Sequence, residues 1–249
     1  MIHAKHITKT YGKKQNLFTA LDDVSLEIPD NTSVAILGKS GSGKSTLMHA
    51  ISGLDKPQKG EVLVDGEDIL QLKPRATDAF RAQKMGFIFQ SFFVEGGETC
   101  YNNVSLSLET AGVPRHQRKE RIMAALEAVE LEQKAQSKAK DLSGGQKQRL
   151  AIARAIAGEP RILFADEPTG NLDSATARVV EDLLFDYQQR KQATLIIVTH
   201  DEDLARRCEM LVRIKDGKVV EVCDNRTDAL KASAKAPTTK KTAKKEVAS

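Results

Sequence analysis

Short apolar runs recur along the chain at residues 24–28, 33–37, 61–64, 86–89, 162–165 and 195–199, and three of them are nearly all apolar. Continuous apolar strands of this length lie buried on both faces of a parallel sheet, with helices between them. Helical patterns do fall between: at 45–52, along a polar-rich stretch from 115 to 139, at 145–157 and at 174–189. In the last, Val179, Leu183 and Tyr187 recur every fourth residue, which predicts the face laid against the sheet. The pattern as a whole predicts an α/β fold. Residues 75–141 depart from the alternation, being mostly helical and charged, and read as an inserted helical subdomain within a body spanning residues 1–230. Residues 211–222 read as a β-hairpin around Asp216-Gly217, a dipeptide suited to the positive φ angles of a tight turn.

At 249 residues, 40% hydrophobic and 29% charged, the chain has the composition of a soluble globular protein with a substantial core. It has no tryptophan and only 4% aromatics, so platforms for stacking bases are scarce and specific nucleic-acid recognition is not expected. The net charge of +4 is unevenly placed, because residues 231–249 carry +5 and leave the rest at −1. That segment is rich in Ala, Lys, Thr and Ser, and reads as a disordered, solvated tail rather than a dedicated contact for anionic lipid or nucleic acid. Cys100, Cys208 and Cys223 are odd in number and lack Cys-x-x-Cys spacing, which argues against a disulfide framework or a zinc site and fits a reducing cytoplasm. No signal segment is evident and no apolar run nears the roughly 20 residues of a membrane span, so work at a membrane requires another chain to cross it.

Candidate chemistry begins at GKSGSGKST, residues 38–46, which follows an apolar run and opens a helical pattern. This is the context of a phosphate-binding loop: Gly38, Gly41 and Gly43 let backbone N–H groups at Lys39, Ser40 and Ser42 turn inward, and the helix start adds partial positive charge. Lys44 then reaches the β- and γ-phosphates, and the hydroxyl of Ser45, next to Thr46, ligates Mg²⁺. The run 162–165 ends in Asp166 and Glu167, whose side chains leave a strand in opposite directions and so take different tasks. Asp166 suits the magnesium shell, and Glu167 suits orienting a water for in-line attack. His200 ends another buried run, at the carboxyl edge where parallel sheets bind ligands, and reads as a γ-phosphate sensor. The other histidines read as structural: His3 and His6 on an edge strand, His49 packed behind the phosphate loop, and His116 on a solvated face. Leu142-Ser143-Gly144-Gly145-Gln146 supplies a second glycine-rich anion site about a hundred residues away, which suggests that ATP is gripped from two sides.

On these motifs in order, over about residues 1–224, the chain resembles the nucleotide-binding subunits of ATP-binding-cassette transporters. The resemblance implies a P-loop NTPase core with a mostly parallel sheet, N-terminal antiparallel β elements and the inserted helical subdomain. It implies a homodimer in which Ser143, Gly144, Gly145 and Gln146 bind the γ-phosphate of ATP held by the opposite copy. By the same resemblance Tyr11 stacks on adenine, Gln90 touches the magnesium site and relays its state to a transmembrane permease, and Asp173 lies in the loop that crosses between copies. The run 165–173, with Gly86-Phe87-Ile88-Phe89-Gln90, is similar to the lipoprotein-release and macrolide-export group, which implies membrane subunits that move substrates, or transmit force, on the outer side of the membrane, with this subunit peripheral at the cytoplasmic face. Gln146 stands where that group more often has glutamate, and residues 91–101 lack its usual leucine-and-threonine pattern. A regulatory or scaffold ATPase that moves no solute is the alternative within the same family.

Overall fold

The computed structural model describes residues 1–13 and 16–225; the basic segment 231–249 lies outside the described residues. Its larger sheet has six strands in the order β10-β9-β3-β8-β7-β6. These are β3 (Ser33–Leu37), β6 (Met85–Ile88), β7 (Ile162–Asp166), β8 (Thr194–Thr199), β9 (Met210–Lys215) and β10 (Lys218–Asp224). Strands β6, β7, β8, β3 and β9 run parallel, and β10 returns antiparallel through the Asp216-Gly217 turn, both residues having positive φ. The apolar runs arise because this sheet is covered twice. Ala35, Leu37, Leu163, Ala165, Leu195 and Ile197 face one core, while their neighbours Val34, Ile36, Ile162, Phe164, Ile196 and Val198 face the other.

One core is closed by helices α3 (Cys100–Thr110), α4 (Arg115–Ala128), α5 (Gly144–Ile156), α6 (Ser174–Lys191) and α7 (Glu202–Arg206). The other is closed by α1 (Lys44–Ile51), α2 (Pro74–Lys84) and an antiparallel sheet ordered β2-β1-β4-β5. That sheet holds β1 (Ile2–Tyr11), β2 (Phe18–Ile28), β4 (Lys59–Val64) and β5 (Glu67–Asp68). The edge position expected for His3 and His6 is therefore corrected: β1 is internal, paired with β2 on one side and β4 on the other. His6 sits at a bulge with φ 52°, which turns its ring outward to within 2.8 Å of Asp23 Oδ1.

Three further expectations shift. The polar stretch 115–139 is not one helix, because α4 stops at Ala128 and the chain passes through left-handed Glu130. There the Leu131 N–H returns to the Leu126 carbonyl at 2.8 Å, with both leucines buried, a C-cap without glycine. Within 75–141, α2 packs on β6 and β6 joins the main sheet, so the helical layer added to the core is α3 and α4. On α6 the buried face is Val180, Leu184, Tyr187 and Gln188, whereas Val179 is 43% exposed. A spacing of four drifts round a 3.6-residue helix, and Val179 lies about 100° from Val180.

Val180→Ala is accordingly expected to lower unfolding stability by about 2 kcal/mol, and Val179→Ala by less than about 0.5 kcal/mol. Denaturant melts of the two variants decide it; equal losses would restore the face read from the spacing.

Candidate functional site

Because β3, β8, β7 and β6 run parallel, the segments that follow them gather at one sheet edge. The phosphate loop follows β3. Gly43 is required by space as well as by φ, since at φ 103° a Cβ there would lie 2.5 Å from the Ala20 carbonyl; at Gly38 a Cβ would lie 2.4 Å from Ser42 Oγ, whereas Gly41 is favoured by its φ of 78° alone. Ser42 Oγ is buried and has no hydrogen-bond partner among the described residues. Lys44 is buried and donates to the carbonyls of Gly38 (2.9 Å) and Lys39 (3.1 Å), which holds its ammonium within the loop.

Asp166 and Glu167 take different partners. Ser45 Oγ donates to Asp166 Oδ1 at 3.1 Å. Burial pushes the Asp166 carboxyl above its ordinary pKa, although the Ser45 hydrogen bond opposes the rise. Glu167 leaves the sheet through a left-handed backbone at φ 46°, its N–H donating to the Val198 carbonyl at 2.9 Å. This strained exit aims the carboxylate at His200, whose Nδ1 lies 2.9 and 3.0 Å from its two oxygens. Gln90, one residue after the Phe89 that succeeds β6, is exposed, and its side-chain amide lies against Gly170. Its carbonyl accepts from Asn171 Nδ2 at 3.0 Å.

A cavity of about 670 Å³ joins the phosphate loop, with Lys39, Ser40, Gly41 and Thr46, to Gln90, Asp166, Glu167, His200 and Tyr11. Tyr11 has its hydroxyl tied to Asp55 Oδ2 at 2.7 Å and the Lys9 ammonium 5.1 Å from its ring centroid. Phe18, its cross-strand partner, is 59% exposed and lines the same cavity. Phe18 is not legible from sequence pattern, since only the pairing of β1 with β2 brings it there.

Ser143–Gln146 does not line this cavity. Ser143 caps α5 in a capping box: its hydroxyl accepts from the Gln146 N–H at 3.3 Å, and Gln146 Oε1 accepts from the Ser143 N–H at 3.1 Å. Among the described residues the N–H groups of Gly144 and Gly145 have no partner, so two donors at a helix N-terminus are left unpaired. Gly145 must be glycine, as a Cβ would lie 2.5 Å from Thr176 Cγ2. Asp173 caps α6, accepting from the N–H groups of Ala175 (3.1 Å) and Thr176 (3.0 Å) and from the Thr176 hydroxyl (2.7 Å). The hydrogen bonds from Thr176 hold its carboxyl below the ordinary aspartate pKa. Sequence reasoning also missed Gln148, which is fully buried and donates from Nε2 to the Pro168 carbonyl at 2.6 Å, tying α5 to the loop after Glu167.

Residues 21–170 match the family described as ABC transporter. The lipoprotein-releasing system ATP-binding protein LolD of Syntrophus aciditrophicus is 40% identical over 220 residues, covering 88% of this chain and 99% of that protein. The methionine import ATP-binding protein MetN of Carboxydothermus hydrogenoformans is 44% identical over 222 residues, covering 89% of this chain but 65% of its own length. The dimeric post-hydrolysis structure of the ATP-binding cassette MJ0796, bound to ADP and Pi, matches with a TM-score of 0.84 and 39% identity over 91% of this chain and 99% of that one. With the family match spanning more than half of its residues, and with relatives of its own length carrying the same cassette, the chain belongs to the ABC transporter family and is an ATP-binding subunit that hydrolyses ATP.

Proposed function

We propose that two copies of the chain close around two ATP molecules, the phosphate loop of one facing the Ser143–Gln146 segment of the other, and that this closure drives a transmembrane permease. The carrying observation is that Ser143–Gln146 does not line the phosphate-loop cavity, while the N–H groups of Gly144 and Gly145 have no partner among the described residues. The dimeric state described for MJ0796 supports the same arrangement.

In this reading ATP displaces Lys44 from the carbonyls of Gly38 and Lys39 onto its phosphates, Tyr11 and Phe18 flank the base, and Gly38–Thr46 cradles the phosphate chain. Glu167 takes a proton from water as the water oxygen bonds to the γ-phosphorus. The bond to the β-phosphate oxygen breaks, with its electron pair leaving on ADP. His200, now against Glu167, holds the γ-phosphate, and Asp173 and its loop meet the partner copy. Ser45, Asp166 and Gln90 offer oxygen donors beside the phosphates, a set that fits Mg²⁺. Among the described residues no group of three or more His, Cys, Asp and Glu is placed to hold a metal ion. Bound there, the ion neutralises phosphate charge.

Among the described residues no helix is long and apolar enough to cross a membrane. The partner surface in this reading is the groove of Phe89, Phe93 and Leu106 beside Gln90, with exposed Glu95 and Glu98 at its rim. Acidic rims complement the Lys- and Arg-rich cytoplasmic loops of membrane proteins, which supports a position at the cytoplasmic face. The match to LolD over 99% of that protein supports export or force transmission.

Glu167→Gln is expected to keep ATP affinity, to slow turnover by about 10²-fold or more, and to accumulate an ATP-dependent dimer on size-exclusion chromatography. Turnover at the wild-type rate would remove Glu167 as the base. Adding Ser143→Arg to that variant should abolish the dimer while leaving ATP binding to the monomer intact; a dimer that persists would refute the two-sided grip.

A further inference from the structure

We propose that Arg154 is a positioning residue: from α5, the helix that carries Ser143, it straps the loop after Gln90 and so sets Gln90 against the reaction cavity. The inference rests on the role given to Gln90 above. Arg154 Nη1 donates to the Phe93 carbonyl and Nη2 to the Phe92 carbonyl at 3.2 Å, so one planar fork holds two consecutive peptides.

No carboxylate pairs with this guanidinium among the described residues, whereas Arg149 on the same helix pairs with Glu130, and Arg207 pairs with Glu181 and Asp182. Partial burial lowers the Arg154 pKa, and a half-buried cation without a counter-charge among the described residues is costly for packing alone. Phe93 bears the complementary strain. Its φ of 46° is in the left-handed region, unfavourable for a residue with a Cβ. Its side chain is 67% exposed and makes only an edge contact with Phe89, so ring burial does not hold that backbone. The guanidinium does.

The strap completes a set. Helix α5 meets the loops of the site at Gly145 against Thr176, at Gln148 on the Pro168 carbonyl, and at Arg154 on Phe92 and Phe93. A helix moves as one body, so whatever shifts the Ser143 end shifts the loop after Gln90. Gln90 in turn touches Gly170 and Asn171, close to Glu167.

The test uses the purified full-length chain with Arg154→Ala, Arg154→Lys and Gln90→Ala. Arg154→Ala should lower kcat by about 10- to 100-fold through misplacement of Gln90, with KM and ATP affinity within about twofold. It should need more Mg²⁺ for half-maximal turnover and recover partly with millimolar methylguanidinium. Arg154→Lys, with one point-like donor for two carbonyls, should fall between. Unchanged kcat in Arg154→Ala would overturn the proposal, as would a loss of kcat that is matched by lost ATP affinity and is not rescued by methylguanidinium. If Gln90→Ala is slow while Arg154→Ala is not, the strap alone fails. If Gln90→Ala is itself as fast as wild type, the role of Gln90 and the strap fall together.

Discussion

The parallel register of β3, β8, β7 and β6 is the constraint on which the remaining architecture depends. Leu37 pairs with Thr199, and Asp166 with Val198, so the chain leaves neighbouring strands at nearly the same level. The phosphate loop, Glu167, His200 and the Gln90 loop therefore converge without any of them being adjacent in sequence. A parallel pair cannot be joined by a tight turn, and the crossovers needed between strands are the helices that bury both faces of the sheet. The same burial that excludes water from Phe164, Ile196 and Val198 also partly dehydrates Asp166 at the strand end and raises its pKa. Core and site are consequences of one arrangement.

Three charged groups of the cavity are already partnered. Lys44 is held by loop carbonyls, Asp166 by Ser45 and Glu167 by His200. Nucleotide binding at such a site exchanges hydrogen bonds, which makes its net gain smaller than a count of new contacts suggests. What the arrangement secures is geometry. Each group is held in place by a short reach from a rigid strand end, and little reorganisation remains when charge develops on the phosphate.

Much of this was legible in the sequence because it is written locally. A strand buried on both faces has to be apolar at every position, and a loop that wraps phosphate has to be glycine-rich, so 33–46, 162–167 and 195–200 could be placed before any contact was known. The internal position of β1 was not legible, since His3 and His6 look like edge residues until β4 is seen to pair across from β2. The α6 face was misread because a period of four selects Val179, whereas the helix presents Val180 and Leu184. Gln148, Arg154 and Phe18 were invisible for a different reason: each acts on a backbone or cavity supplied by residues from 7 to 62 positions away, and no spacing rule encodes such partners.

Gln146 shows how local stability and proposed function meet on one side chain. A capping box accepts glutamate or glutamine, because either can receive the Ser143 N–H. Glutamate would add about 0.3–1 kcal/mol from the helix dipole. The first turn of α5 nonetheless contains no acid. A carboxylate there would compete with an incoming phosphate for the positive helix end, and the amide makes the same capping bond without that repulsion. The neutral cap leaves the Gly144 and Gly145 donors in a field favourable to an anion, and Thr176, pressed against Gly145, fixes how closely the α6 cap at Asp173 sits beside them. The departure at Gln146 from the glutamate common in the related export group is therefore compatible with the anion site, since it preserves the helix start and increases its attraction for phosphate.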